Sequence, residues 1–274
     1  MGKVDLHVHT TFSDGTLSPY EVVEKGYFKK LAALGITDHD TMQGIADAEV
    51  AGRKFGVEII PGFEFSTDYE GNELHILGYY CSQDNVNLAE ILNTVKVSRF
   101  ERMVSMVEKI KKLGLNIELS DILKTIKGDI LGRPHLAAVI CQKGYCKSSR
   151  EAFQKFIGKD CPAYVERFKV NTFEAIDMIV KAGGIPVLAH PGIYDVDELI
   201  PSLIKGGLSG IEVFHPDHDI NAIFRYKEIA FKYDLLITGG SDFHDEEIGS
   251  APLLGNITVD YTCVEKMRSI KKSL

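Results

Sequence analysis

The chain of 274 residues lacks several features that would assign a class at once. It has no apolar run of membrane-spanning length, which argues against an integral membrane protein. Its start, "MGKVDLHVHTTFSDGT", enters a strand-like alternation without a basic and then apolar leader. A cytoplasmic rather than a secreted product is therefore expected. The five cysteines (Cys81, Cys141, Cys146, Cys161 and Cys263) are an odd number, with no Cys-x-x-Cys pair and no zinc-site spacing. That argues against a disulfide framework, and free thiols mostly filling core space are expected. Repeats, low-complexity tracts and flexible linkers are missing too. What remains is one large α/β domain, or one domain carrying a sizeable insertion. With 45% hydrophobic and 26% charged residues, such a chain can bury a substantial core.

The net charge of −8 is unevenly spread. Residues 96–169 hold sixteen Lys and Arg against eight Asp and Glu, a local balance of +8, and the remainder holds fifteen against thirty-one, a balance of −16. A basic segment inside an acidic chain is a candidate for handling anions, although many of its lysines would equally suit solvated helix faces.

Strand-like stretches alternate with amphipathic ones. "KVDLHVH", "LAALGITDHD", "VEIIPGFEFS", "ELHILGYY", "GIPVLAHP", "LSGIEVFHP" and "LLITGGSDFH" read as strands. "SPYEVVEKGYFKK", "TFEAIDMIVKAG", "VDELIPSLIKGG" and "NAIFRYKEIAFKYD" read as helices. Ser18 before Pro19, with Glu21 three residues on, has the form of a capping box. The alternation predicts a parallel sheet, doubly wound or closed into a barrel. From about residue 88 to 164 the rhythm becomes purely helical, and the next strand-like string is "PAYV". Met103, Met106, Ile110 and Leu113 recur there at helical spacing and are expected in a core. The division predicted is a barrel of residues 1–88 and 165–274, with residues 89–164 inserted as a helical cap.

Chemistry concentrates on histidine. In an extended strand His7 and His9 point the same way, with Val4, Leu6 and Val8 opposed, and Asp14 follows a short turn. His39 ends "GITDHD", His75 lies in "NELHILGY", His190 in "VLAHPG" and His244 in "GGSDFH". Glu64 and Asp242 sit in "PGFEFS" and "GGSDFH". Each of these is placed at the carboxyl end of a predicted strand or just after it, where parallel α/β folds bind ligands. A single histidine there is ordinarily structural, but six histidines and three carboxylates on one rim point to metal. Nine ligands exceed the needs of one ion, so two or three clustered divalent ions with a bridging carboxylate are implied. Imidazole and carboxylate without thiolate suit Mn²⁺, Fe or Zn²⁺, and Mg²⁺ less well.

The strings "DLHVHTTFSDGT", "ITDHDT", "PGFEFS", "ELHILGYY", "AHPG" and "GGSDFH" resemble, in order and over essentially the whole chain, the motifs of the PHP (polymerase and histidinol phosphatase) superfamily of metal-dependent phosphoesterases. The resemblance implies a distorted (β/α)7 TIM-like barrel with a trinuclear metal centre. His7, His9, Glu64 and Asp242 would hold one ion. Glu64 would bridge to a second completed by His75 and His190, and Asp14, His39 and His244 would hold the third. "GRPHLA" and "GKDCPAYV" are similar to stand-alone members acting on nucleotides and short oligonucleotides, among them nucleoside 3′,5′-bisphosphate phosphatases and 5′-to-3′ exonucleases.

These readings give a set of expectations. A metal-bound hydroxide held by Glu64 and Asp242 would attack a terminal phosphate ester, with Mn²⁺ the foremost ion. Arg133 offers a planar fork to phosphate and His135 a donor, with Lys159 and Arg99 as further cations. Asp40 and Asp38 are read as orienting neighbouring imidazoles or capping the next helix, and His215 and His218 as residues of the rim or just behind the ligands. The partner would be a small phosphorylated molecule such as AMP, a nucleoside bisphosphate or a short oligonucleotide; no long duplex, membrane or obligate protein partner is expected. Histidinol-phosphate phosphatase is the rival of the same chemistry, although its cationic substrate suits a +8 segment poorly. A non-catalytic PHP module is the rival of another class, and would be marked by lost ligands or a docking region.

Overall fold

Every residue of β1 (Lys3–Val8) after Lys3 is buried, on both faces of the strand. Val4, Leu6 and Val8 join hydrophobic clusters, while Asp5 and His7 are fully buried on the opposite side. Burial on both faces is what a strand inside a helix-wrapped sheet requires. The computed structural model describes residues 2–126, 128, 130–244 and 253–273.

After β1 the chain runs through α1 (Pro19–Phe28), β2 (Leu31–Ile36), α2 (Ile45–Phe55), β3 (Glu58–Tyr69) and β4 (Asn72–Tyr79). A helical stretch follows: α3 (Val86–Lys112), α4 (Leu119–Leu123), α5 (Arg133–Gln142) and α6 (Ser149–Ala152), which continues as one π-helical turn, Phe153–Ile157. The alternation then resumes with β5 (Val170–Asn171), α7 (Thr172–Lys181), β6 (Ile185–Leu188), α8 (Ile200–Lys205), β7 (Gly210–Phe214), α9 (Ile220–Tyr233), β8 (Leu236–Gly239), β9 (Val259–Asp260) and α10 (Thr262–Ser273). Helix α1 begins as its sequence dictates. Ser18 is the N-cap, Glu21 accepts from the Ser18 amide at 2.7 Å, and Pro19 occupies the first turn.

Among the described residues the strands form one sheet in the order β8-β7-β6-β4-β3-β2-β1-β9, with β5 against β3. It curls into a nearly closed, distorted barrel. The segment after β8 returns to β1, where Phe243 bridges Val8 and its carbonyl accepts from the His9 amide at 2.9 Å. The sheet is not wholly parallel. β4 runs antiparallel to both β3 and β6, because only the two residues Glu70 and Gly71 separate β3 from β4. A link that short makes a hairpin, and a parallel crossover needs a dozen residues or more.

The helical stretch has its own core, in which Met103, Met106 and Ile110 of α3 pack with Ile117, Leu136 and Ile157. Leu88, Leu92 and Val95, at the other end of α3, belong instead to the core under β3, β4 and α7. The packing therefore changes sides within α3 rather than at its start. Leu113, expected in the core, is 42% exposed because it caps the helix. "PAYV" forms no strand, and β5 is the next one. Cys81 and Cys263 fill core space as expected, but Cys141, Cys146 and Cys161 are only partly buried. No described helix is long and apolar enough to cross a membrane.

The closeness of β1 to β2 gives a test. A Cβ added to Gly35 would lie 2.4 Å from the Leu6 carbonyl oxygen, a backbone atom that cannot turn away. Gly35→Ala is expected to destabilise the fold by ~1–3 kcal/mol, read as a lowered urea midpoint with unchanged slope.

Candidate metal centre

Burying a carboxylate inside a barrel is costly unless cations or donors surround it. Glu64 is such a group, in mid-strand of β3 and 1% exposed. His39 sits beside it across an isolated parallel bridge just beyond β2. His75 reaches it from β4. It was expected at a strand's carboxyl end, but β4 is antiparallel, so its first half lies at the rim where its neighbours finish. His7 and His9 project from β1 on one face, with ring centroids 5.2 Å apart. His190 follows β6, and Asp242 and His244 follow β8.

These residues converge. Glu64 Oε2 lies 3.3 Å from His7 Nε2, 3.2 Å from His9 Nε2 and 3.1 Å from His39 Nδ1. Its Oε1 lies 2.8 Å from His75 Nδ1 and 2.9 Å from His190 Nε2. Asp242 Oδ1 stands 3.2 Å from both His7 Nε2 and His9 Nε2. On the far side of His9, Asp14 Oδ1 is 3.3 Å from His244 Nε2, and Asp14 Oδ2 is 3.9 Å from His39 Nε2. Three overlapping groups thus have their donor atoms within 4.8 Å of one another: His7, His9, Glu64 and Asp242; His39, Glu64 and His75; and His9, Asp14, His39 and His244.

Hydrogen bonds leave part of this cluster unsatisfied. His7 Nε2, His9 Nε2, His39 Nδ1, Glu64 Oε2, Asp14 Oδ1 and Asp242 Oδ1 are buried without a hydrogen-bond partner, although they face one another. Burial drives the His39 imidazole down to about 4. Burial opposes protonation of His75 too, but the Glu64 carboxylate overrides it and raises that ring to about 9. Neighbouring rings are thus pushed in opposite directions. Orphaned nitrogen and carboxylate atoms aimed at common points fit divalent cations. Backbone strain gathers here as well: His190, Asp242 and Asp40 have φ of 30°, 49° and 52°.

A second layer orients the ligands. Glu212, fully buried, lies 3.1 Å from His7 Nδ1 and accepts the His190 amide at 2.9 Å. That contact leaves His7 Nε2 free to face the cluster. Sequence reading passed over Glu212 as part of a strand, although a lone carboxylate within apolar "GIEVF" was the available signal. Asp5 was passed over in the same way. It accepts from the Ser241 amide at 2.9 Å, the Ser241 hydroxyl at 2.6 Å and the Gly255 amide at 2.8 Å, holding the loop that carries Asp242.

Some supporting residues do other work than expected. Asp40 touches no imidazole and caps no helix; it accepts from the Ser66 amide at 2.9 Å and binds the Arg99 guanidinium. Arg99, expected to be a phosphate ligand, is therefore committed to Asp40 and to Ser66 Oγ at 3.0 Å, pinning α3 to the rim. Asp38 accepts from the Thr10 amide, Thr10 Oγ1 and Ser13 Oγ, each at 2.7 Å, and so shapes the loop after β1. His218 lies away from the carboxylates, bonded to the Val213 carbonyl at 2.9 Å and accepting the Gly192 amide at 3.0 Å. His215 is nearer, its Nε2 3.4 Å from Asp242 Oδ2.

Cations border the cluster on the helical side. Arg133 stacks over Phe153 and Tyr164, at 5.3 and 5.8 Å, with no carboxylate in ion-pair contact among the described residues. Arg102 lies over the same Tyr164 at 5.6 Å. Burial, and then the Arg133 charge, bring its pKa down to about 10. His135 is close to Asp14, but its Nδ1 accepts the Gly132 amide at 3.0 Å. Lys159 is exposed on a cleft of about 770 Å³ that also takes in Glu73, Tyr164, Arg167 and Tyr194. Glu73 in turn reaches His75 Nε2 at 3.4 Å, so the cleft opens beside the cluster. Four lysines of the basic segment have ordinary surface partners, Glu118 for Lys111, Asp121 for Lys143, Glu151 for Lys155 and Glu166 for Lys169.

The chain was compared with known proteins. A PHP domain profile matches residues 5–161. The chain is 32% identical to a phosphoribosyl 1,2-cyclic phosphate 1,2-diphosphodiesterase of Eggerthella lenta, over 92% of this chain and 97% of that protein. It is 33% identical to a 5′-3′ exoribonuclease of Haemophilus influenzae (88% and 90% covered), and 30% identical to a 3′,5′-nucleoside bisphosphate phosphatase of Chromobacterium violaceum (89% and 88%). Among solved structures, a metal-dependent phosphoesterase from Bifidobacterium adolescentis superposes with a TM-score of 0.91 at 30% identity, covering 97% of this chain and 96% of that one.

The Glu212 contact carries a prediction. Glu212→Gln is expected to weaken divalent-metal binding about 10- to 100-fold while the protein stays folded, measured by calorimetric titration of the metal-free protein with Mn²⁺.

Proposed function

The chain belongs to the PHP domain family, and we propose that it is a metal-dependent phosphoesterase removing terminal phosphate from nucleotides, nucleoside bisphosphates or short oligonucleotides. The observation that carries this reading is the Glu64 carboxylate, ringed by imidazoles and left with a buried oxygen unsatisfied. In the arrangement proposed, His7, His9, Glu64 and Asp242 hold one divalent ion. Glu64, His75 and His190 hold a second, and Asp14, His39 and His244 hold a third. Manganese is the foremost candidate for a site of imidazole and carboxylate without thiolate. Such ions, when bound, polarise phosphoryl oxygens and lower the pKa of water to near neutrality.

The protein's own groups divide the remaining work. Arg133, stacked and without an ion-pair partner among the described residues, presents its guanidinium to the phosphate, and Arg102 adds charge beside it. His135 stands at the Asp14 side, its Nδ1 held by the Gly132 amide and its ring also bonded to the Ser13 backbone, and would turn that second bond to a phosphate oxygen. Tyr164 and Tyr194 wall the cleft of about 770 Å³, which has room for a base and sugar, with Lys159 at its outer edge. Glu212 and Asp5 keep His7 and the Asp242 loop in place. In this reading the helical segment is a cap that closes over the barrel mouth and selects the anion.

The Arg133 guanidinium, without an ion-pair partner among the described residues, favours this substrate class over histidinol phosphate, whose ammonium it would repel. The complete set of nine candidate ligands speaks against a non-catalytic module. The family resemblances span monoesters and diesters, so the chemistry proposed is shared while the leaving group is the finer question.

Two outcomes test the reading. Arg133→Ala is expected to lower kcat/KM for a nucleotide by ~1.5–3 kcal/mol, with unchanged metal content by elemental analysis. Equal activity would return Arg133 to a packing role. In the second test, one Mn²⁺-loaded preparation is assayed on a nucleoside bisphosphate, a 5′-phosphorylated short oligonucleotide and a blunt duplex of the same sequence. Release from the first two and near inertness of the duplex are expected, since a chain of net charge −8 can offset only a few phosphates locally. A duplex rate matching the nucleotide rate would mean the cap does not close the mouth.

A further inference from the structure

Two of the three partly buried cysteines lie together in the helical segment. Cys141, near the end of α5, and Cys146, in the turn before α6, hold their sulfurs 2.7 Å apart. The turn accounts for the approach. Gly144 adopts φ of 80°, its amide bonds to the Cys141 carbonyl at 2.9 Å, and the Tyr145 amide bonds to the Ile140 carbonyl at 3.1 Å. This helix-ending reversal folds the chain back, so Cys146 returns over Cys141. A disulfide requires ~2.05 Å between sulfurs, so closing the remaining gap needs well under an ångström of movement. Both residues are only partly buried, whereas Cys81 and Cys263 are buried.

We propose that Cys141 and Cys146 form a reversible intramolecular disulfide, a redox-convertible clasp on the helix that carries Arg133. The oxidant is a low-molecular-weight disulfide. Cys146, as thiolate, attacks one of its sulfurs, forming a mixed disulfide and expelling one thiolate. Cys141 then gives its proton to solvent and attacks the Cys146 sulfur, forming the internal bond and expelling the second thiolate. Two electrons pass to the small disulfide, which ends as two thiols, and the protein loses two hydrogens. Burial and the adjacent sulfur push the Cys141 thiol up to about 12, which casts it in the second, resolving step.

The position gives the bond a consequence. Its far side leads through Ser148, whose carbonyl accepts from Cys146 Sγ at 3.3 Å, into α6 and on to Phe153. Phe153 is the ring on which Arg133, at the opposite end of α5, is stacked. The clasp and that stack tie the same two elements at both ends, so oxidation fixes the wall that presents Arg133.

The test uses the full chain, equilibrated with reduced or with oxidised glutathione. After oxidation, thiols titrated in denaturant should fall from five to three, and the intact mass should fall by two hydrogens. Trypsin cuts after Lys143, between the two cysteines, so the bond should appear as two peptides joined through Cys141 and Cys146. The oxidised protein should melt several degrees above the reduced form, and Cys146→Ser should abolish that difference. Five remaining thiols, glutathione adducts without the internal link, or an unchanged melting temperature would overturn the proposal. The peptide map of the parent decides even if the serine variant fails to fold.

Discussion

One carboxylate organises the molecule. Glu64 presents two oxygens to five imidazole nitrogens, from His7, His9, His39, His75 and His190, which are carried by or follow four strands, β1, β2, β4 and β6. A buried carboxylate in a low-dielectric interior demands positive charge. Five crowded rings cannot all supply it as protons, because each charged ring disfavours the next. Divalent cations placed between the rings and the carboxylate would satisfy both sides. The curvature of the barrel, the strained turns at His190 and Asp242, and the Glu212 and Asp5 contacts can all be understood as holding that arrangement open. Metal binding and folding should accordingly be coupled in this protein.

Much of this was legible in the sequence. Seven strand-like stretches and the helices between them were readable from hydrophobic period alone, as was the capping box at Ser18. The clustering of histidines and carboxylates near strand ends was also visible, since ligand residues in this kind of fold follow the strands that carry them. The direction of β4 was not evident. A strand's polarity in the sheet is set by the length of the preceding link, and the two-residue hairpin at Glu70 and Gly71 overrode the alternating pattern. His75 consequently reaches the rim from the first half of its strand rather than from its end.

The supporting residues were harder to read for a different reason. Asp40, His218 and Glu212 are all polar residues near candidate ligands, and local sequence does not say which polar group each will meet. Asp40 meets Arg99 from a helix about sixty positions along the chain, and that pair joins the helical segment to the barrel. Glu212 meets His7 across more than two hundred positions. The same contrast sorts the basic segment. Lys111 and Lys143 pair with nearby carboxylates at the surface, while Arg133 and Arg102, the latter also bonded to the Val165 carbonyl, hold their charge over the Tyr164 ring.

The central claim is that Glu64 is a shared ligand of clustered ions, and anomalous diffraction from crystals of the Mn²⁺-loaded protein tests it most directly. The account predicts two or three peaks, each ~2.0–2.3 Å from its ligand atoms, with neighbouring ions on either side of Glu64 and both of its oxygens engaged. A fully loaded protein with one ion elsewhere, or with Glu64 still bonded only to imidazoles, would contradict it.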